Sequence, residues 1–232
     1  MAEPAVILFV HGALGSKDQM EVFGKEFSHY KTVMFEFAGH GNSPDTVESW
    51  TIDAFEKQLE IWCNKLQVPV FIFGYSMGGY VALSLALKKP ELFRGIMTLG
   101  TKFEWTRESA AKEAGKLNPE KILEKVPQFA DELIRRHGRE RWETVLRKTS
   151  EMMIDLGVNP LLTPDKMSKL KIPVLFCIGE RDAMVSLSET SFIQAAAPGS
   201  GLKILKAMPH AIEQIPVDVI TAEIKSFVCS IS

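Results

Sequence analysis

Six short apolar runs recur along the chain: AVILFV at 5–10, TVMFEF at 32–37, VFIF at 70–73, IMTL at 96–99, VLFCI at 174–178 and LKIL at 202–205. Most are nearly continuous rather than alternating, which predicts parallel strands covered on both faces. Between them, apolar positions recur at helical spacing. Met20, Phe23 and Phe27 share one face. Phe55, Leu59, Trp62 and Leu66 share another, behind an N-cap at Ser49 or Thr51. Val217, Ile220, Ile224 and Phe227 form a third. Residues 77–87 are apolar nearly all round, which predicts a central buried helix, and Lys88, Lys89 and Pro90 end it. Strand alternating with helix predicts a doubly wound α/β fold around a mainly parallel sheet of about six strands.

The rhythm breaks at residues 103–165. RESAAKEAG, PEKILEKV, PQFADELIRRHG and RERWETVLRKTSEMMIDLG are all helical in pattern, and Pro119, Pro127, Pro160 and Pro164 punctuate them. Four helices exceed an ordinary crossover. The expected organisation is one core domain, 1–102 and 166–232, carrying a helical insert at 103–165.

Composition narrows the class. The 232 residues are 46% hydrophobic and 24% charged, with a net charge of −2, which points to a globular protein without a nucleic-acid or anionic-membrane partner. The basic cluster RRHGRERW at 135–142 is interleaved with acids and reads as a solvated helical face. Cys63, Cys177 and Cys229 are too few and too far apart for a disulfide framework or a metal site, so reduced thiols and no metal or organic cofactor are expected. The first apolar run lacks a basic region ahead of it and is too short for a signal peptide or a span. A cytoplasmic location is therefore expected. Oligomeric state is not legible.

The chemistry starts from FIFGYSMGGYVALSLA at 71–86, where Gly74-Tyr75-Ser76-Met77-Gly78 joins an apolar strand to a buried helix. G-x-S-x-G in that setting can hold a serine on a strained turn, with small flanking residues where backbones approach closely. By composition the motif arises by chance in about one chain in twelve of this length, so the serine needs supporting residues. A hydroxyl needs a base, and the base an orienting group. Among the five histidines, His210 lies just past the last strand, on the sheet edge expected for Ser76. Asp182, after the fifth strand, is the better candidate acid, with Glu180 the alternative. Amides of Met77 and of Ala13, or instead Leu14, are candidates to bind an oxyanion.

VHGALGS, FAGHGNSP, GYSMGGYVAL, GERDAMV and MPHAIEQIP, spread over residues 10–216, together resemble the α/β-hydrolase superfamily of serine hydrolases. The order Ser76, Asp182, His210 is that of its catalytic triad. The resemblance implies that the insert is a cap over the active site. Two departures stand out. The chain reaches His11-Gly12 too early for the two strands that usually precede this loop, so a shortened, all-parallel sheet is expected, its edge lacking the usual hairpin and leaving a strand that must be protected or paired. Glu36 also stands where relatives often carry an aspartate.

The expected activity is hydrolysis of a small-molecule carboxylic ester or related acyl substrate through an acyl-enzyme. His11, Leu14, Tyr75, Phe103, Trp105 and Met184 are candidates to line the substrate pocket. A compact insert suggests a small to medium ester. The alternatives are C–C bond hydrolysis or lyase chemistry on the same triad, and a receptor-like binding protein with little turnover.

Overall fold

The computed structural model describes residues 5–231; residues 1–4 and 232 of the expected core domain lie outside the described residues. Six strands form one sheet: β1 (Val6–Val10), β2 (Lys31–Phe35), β3 (Val70–Tyr75), β4 (Phe93–Leu99), β5 (Val174–Gly179) and β6 (Gly201–Leu205). Their order is β2-β1-β3-β4-β5-β6 and every pairing is parallel. The expected all-parallel sheet of six strands is thus observed. Edge strand β2 is five residues long and begins at the exposed Lys31. A short strand with a lysine at its end is a poor template for further pairing.

The continuous apolar runs have the expected cause. In β1, Ile7 and Phe9 face a core shared with α1 (Asp18–Gly24) and α10 (Val217–Ser230), while Val6, Leu8 and Val10 face the opposite core. That second core is filled by α2 (Ile52–Leu66), α3 (Met77–Lys88) and α9 (Leu187–Ala196). Thr51 caps α2, its hydroxyl accepting the Ala54 amide at 3.1 Å. Nearly every side chain of α3 is buried, as its all-round apolar pattern requires. Lys88 ties the end of α3 to α2 through Asp53 at 2.8 Å and the buried Glu56 at 2.6 Å.

Between β4 and β5 the described residues contain no strand. The chain instead forms α4 (Arg107–Ala114), α5 (Pro119–Lys125), α6 (Pro127–His137), α7 (Trp142–Val158) and the short α8 (Pro164–Met167). Prolines start α5, α6 and α8, where the missing N–H costs nothing. Thr106 and Ser109 form a reciprocal cap on α4. The buried Tyr80 of α3 anchors the chain beyond α7, its hydroxyl accepting the Leu161 and Leu162 amides at 3.0 and 3.1 Å. Among the described residues no helix is long and apolar enough to cross a membrane.

Candidate active site

Ser76 sits between β3 and α3 with φ 49° and ψ −115°, a conformation that non-glycine residues rarely adopt. Its neighbours enforce it. A Cβ on Gly78 would stand 2.5 Å from the Val10 carbonyl oxygen, and one on Gly74 would stand 2.6 Å from the Gly79 Cα. The Ser76 main chain is held at both ends: its N–H donates to Leu99 O at 2.8 Å, and its carbonyl accepts the Thr101 hydroxyl at 3.0 Å. The side-chain hydroxyl has no hydrogen-bond partner among the described residues and faces a cavity of about 760 Å³.

His210, in the loop after β6, lines the same cavity, and Asp182, in the loop after β5, is buried behind it. His210 Nδ1 lies 2.7 Å from Asp182 Oδ2. The other carboxylate oxygen accepts the amides of Met184 and Val185, each at 2.8 Å. A carboxylate can only accept, so a neutral His210 in this geometry carries its proton on Nδ1 and its lone pair on Nε2. Gly100, in the chain between Leu99 and Thr101, packs under this pair; a methyl there would be 3.1 Å from His210 Nδ1 and 3.2 Å from Asp182 Oδ2. Ser76 and the His210–Asp182 pair thus flank one short segment. Tyr75 donates its hydroxyl to His210 O at 3.1 Å. Burial keeps that phenol protonated by raising its pKa. Glu180 does not share in this arrangement: it accepts the Ala207 amide at 2.8 Å instead.

The loop after β1 forms another wall. Gly12 O accepts from His11 Nδ1 at 2.8 Å and from Gly15 N at 3.1 Å. A trans peptide points its N–H opposite its carbonyl, so the Ala13 amide faces away from both donors. No hydrogen-bond acceptor for the amides of Ala13 or Met77 is found among the described residues. Ala13, Leu14 and Met77 all line the cavity.

The structure separates the expected pocket residues. Leu14, Tyr75, Trp105 and Met184 line the cavity. His11 and Phe103 do not. His11 is fully buried, and its ring is used up by Gly12 O and the Phe37 amide at 3.2 Å. Phe103 packs against Phe176 and Tyr80. The remaining wall comes from α3, α5, α6 and α7, and includes Tyr80, Ile122, Phe129, Met152 and Leu156. Of the charged residues at its rim, Lys116 pairs with Glu113 at 2.7 Å, Arg136 with Glu132 and Glu213, and Lys102 with Glu189 at 3.6 Å, while Arg181 has no ion pair among the described residues.

The basic cluster at 135–142 corrects the expectation of a solvated face. Arg135, Arg139 and Glu140 are exposed, but His137 is fully buried and the Arg136 side chain is only 7% exposed. Arg141 reaches Gly41 O at 2.6 Å and Ser43 O at 2.9 Å. The residues missed by sequence reading are these and Thr101. Helical spacing alone carries no sign that a charged helix end meets carbonyls on other loops. Glu36 has a local structural partner, accepting the Lys17 amide at 3.1 Å.

The fold is that of a known family. The sequence profile for the α/β hydrolase fold matches residues 5–144, and the chain belongs to that family. The chain is 24% identical over 203 residues to 3-oxoadipate enol-lactonase 2 of Acinetobacter baylyi, covering 77% of this chain and 71% of that one. It is 26% identical over 98 residues to a 2-succinyl-6-hydroxy-2,4-cyclohexadiene-1-carboxylate synthase of Escherichia coli O1:K1 / APEC, covering 40% and 37%. In fold it is similar to NosK from Streptomyces actuosus, with a TM-score of 0.84, 18% identity and 99% of both chains covered. A thermophilic esterase from Thermogutta terrifontis superposes with a TM-score of 0.79 at 19% identity, covering all of this chain and 92% of that one.

Three buried histidines make the site sensitive to acid. Their rings lie close together, His40 at 5.1 Å from His11 and 5.9 Å from His137. Burial pushes His11 down to about 3 and His137 down to about 4, and holds His40 well below its ordinary value. For His137 the nearby Arg136 and Arg141 push the same way. Unfolding releases these rings to titrate near 6.5, so the unfolded chain binds more protons at mildly acidic pH. The stability is complete above that value and is lost as pH falls toward the folded-state values. Three such groups give a slope of up to about 4 kcal/mol per pH unit between roughly pH 6 and 4. Urea unfolding at a series of pH values should show this fall; a flat profile from pH 6.5 to 5 would contradict buried neutral histidines.

Proposed function

We propose that the chain is a serine hydrolase that cleaves a carboxylic ester or related acyl compound through an acyl-enzyme on Ser76. The observation that carries this reading is the 2.7 Å hydrogen bond from His210 Nδ1 to Asp182, at the edge of the cavity that the Ser76 hydroxyl faces. His210 Nε2 takes the proton as Ser76 Oγ attacks the carbonyl carbon. Asp182, itself fixed by two amides, stabilises the imidazolium and keeps the tautomer correct. The carbonyl oxygen becomes an oxyanion between the amides of Met77 and Ala13, each contributing on the order of 3 kcal/mol to lowering the barrier. His210 then protonates the departing alcohol. Water, deprotonated by the same ring, attacks the acyl-enzyme and Ser76 recovers its proton. The unpaired Ser76 hydroxyl is compatible with this, because catalytic hydrogen bonds often tighten only when substrate is bound. The α4–α7 helices act as the cap.

The similar proteins include a lactonase and an esterase, both of which cleave an acyl C–O bond. The synthase relative favours a second reading, elimination chemistry on the same residues. Turnover of simple aryl esters separates the two. On the acyl-transfer reading, Ser76→Ala lowers kcat by roughly 10³- to 10⁶-fold with the fold unchanged by circular dichroism. Near-full esterase activity in that variant would sink the assignment.

The cavity suggests the kind of acyl group. Its volume of about 760 Å³ is in the upper part of the usual range for small-molecule sites. Its depth is lined by the apolar or aromatic side chains of Ile52, Tyr80, Ile122, Met152 and Leu156, and the charged groups lie at its rim. We therefore propose a neutral, mainly apolar acyl chain of medium length. Each buried methylene contributes about 0.8 kcal/mol, so kcat/KM on nitrophenyl esters should rise up to about fourfold per carbon from acetate toward octanoate. A series that peaks at acetate contradicts an acyl site in this cavity.

A further inference from the structure

Two neighbouring side chains at the end of α6 converge on one backbone carbonyl of the loop after β1. Arg136 Nη1 and His137 Nε2 lie 2.8 and 3.0 Å from Leu14 O. The other ring nitrogen of His137, Nδ1, accepts the Gly41 amide at 3.0 Å. The neutral ring therefore carries its proton on Nε2 and donates it to Leu14. Leu14 needs this support. Its φ is +58°, a left-handed conformation that a leucine adopts only when its surroundings hold it there.

The peptide unit that follows is restrained at both ends. Its carbonyl is Leu14 O, held by α6, and its N–H is that of Gly15, which donates to Gly12 O at 3.1 Å. Gly12 O belongs in turn to the peptide whose N–H is Ala13. A fixed Leu14 carbonyl therefore fixes the Gly15 amide, which with His11 holds the Gly12 carbonyl and turns the Ala13 amide the other way. Arg136 also pairs with Glu213, three residues beyond His210, and Gln19 bonds the same carboxylate. The clamp thus joins α6, the loop after β1 and the segment carrying His210.

We infer that His137, assisted by Arg136, is a positioning residue for the oxyanion site: α6 aims the Ala13 amide by holding the Leu14 carbonyl. This rests on the acyl-transfer reading of Ser76. It gives the cap a part in the chemical step besides enclosing substrate. Displacing α6 from Leu14 would loosen the oxyanion donor while leaving the Asp182–His210 bond intact.

Two substitutions at one position test it. His137→Asn keeps an acceptor near the Nδ1 position for Gly41 but withdraws the donor from Leu14. His137→Gln keeps a donor near the Nε2 position. On an aryl ester, His137→Asn should lower kcat about ten- to a hundredfold, less than complete removal of an oxyanion donor, with little change in KM. Affinity for a trifluoromethyl ketone, which forms the oxyanion, should fall by a similar factor. Affinity for the corresponding unreactive methyl ketone should not. His137→Gln should recover most of kcat. Equal losses in the two variants, or losses that track thermal stability and KM instead of kcat, overturn the inference. If His137→Asn does not fold, Arg136→Met decides, because its partner carboxylates Glu132 and Glu213 are partly exposed and tolerate its removal; an unchanged kcat there overturns the inference. Ser76→Ala separates the two levels. Retained activity in Ser76→Ala means that the acyl-enzyme reading has failed. An inactive Ser76→Ala beside a fully active His137→Asn means that only the clamp has failed.

Discussion

The site depends on one backbone-to-backbone contact, between the turn that carries Ser76 and the end of β1. A side chain at position 78 would lie within 2.5 and 2.6 Å of the Val10 and His11 carbonyl oxygens. With glycine there, α3 begins directly against the strand that leads into the 11–15 loop. Two consequences follow. Ser76 is lifted off the sheet in a conformation that costs about 1–3 kcal/mol, offset by the bonds to Leu99 and Thr101 and by the buried α3. Ala13 and Met77 are also brought to one cavity wall, where the proposed function has their amides receive the oxygen of the attacked carbonyl.

The loops around this contact turn sharply and pair with themselves only in part, as where the Gly15 N–H donates to Gly12 O at 3.1 Å. Further carbonyls and amides are met by side chains: His11 on Gly12 and Phe37, His137 on Leu14 and Gly41, and Arg141 on Gly41 and Ser43. A histidine can serve both a carbonyl and an amide at once only when it is neutral. Burial that keeps the rings uncharged is therefore a condition of the loop geometry. The same condition makes acid a threat to the fold around the site. The arginines work differently: they donate only, and bring the end of α6 and the start of α7 down onto the sheet's carboxyl edge.

Much of this was legible in the sequence. Strands buried on both faces leave continuous apolar runs, and all six runs are strands. The elbow was visible because close backbone approach leaves glycines at 74 and 78. Asp182 and His210 were singled out as candidates because the carboxyl ends of parallel strands share one edge, and these two side chains do meet, at 2.7 Å. What escaped was long-range and directional. Nothing in RRHGRERW distinguishes Arg135, which is exposed, from Arg136, which is buried against Leu14. Helical periodicity reports which face is apolar, but not whether a polar group finds a carbonyl on another loop. His11 and Phe103 were misjudged for the same reason: each lies beside the cavity in sequence, yet its ring turns into the core.

The central claim is that Ser76 attacks an acyl carbon whose oxygen is received by the Met77 and Ala13 amides. A crystal structure of the protein inactivated by an alkyl fluorophosphonate tests it most directly. The expected result is a covalent bond from Ser76 Oγ to phosphorus, with a phosphoryl oxygen about 3 Å from both amide nitrogens and the alkyl chain under α5–α7. A phosphorus atom on another residue, or a phosphoryl oxygen turned away from both amides, would contradict it.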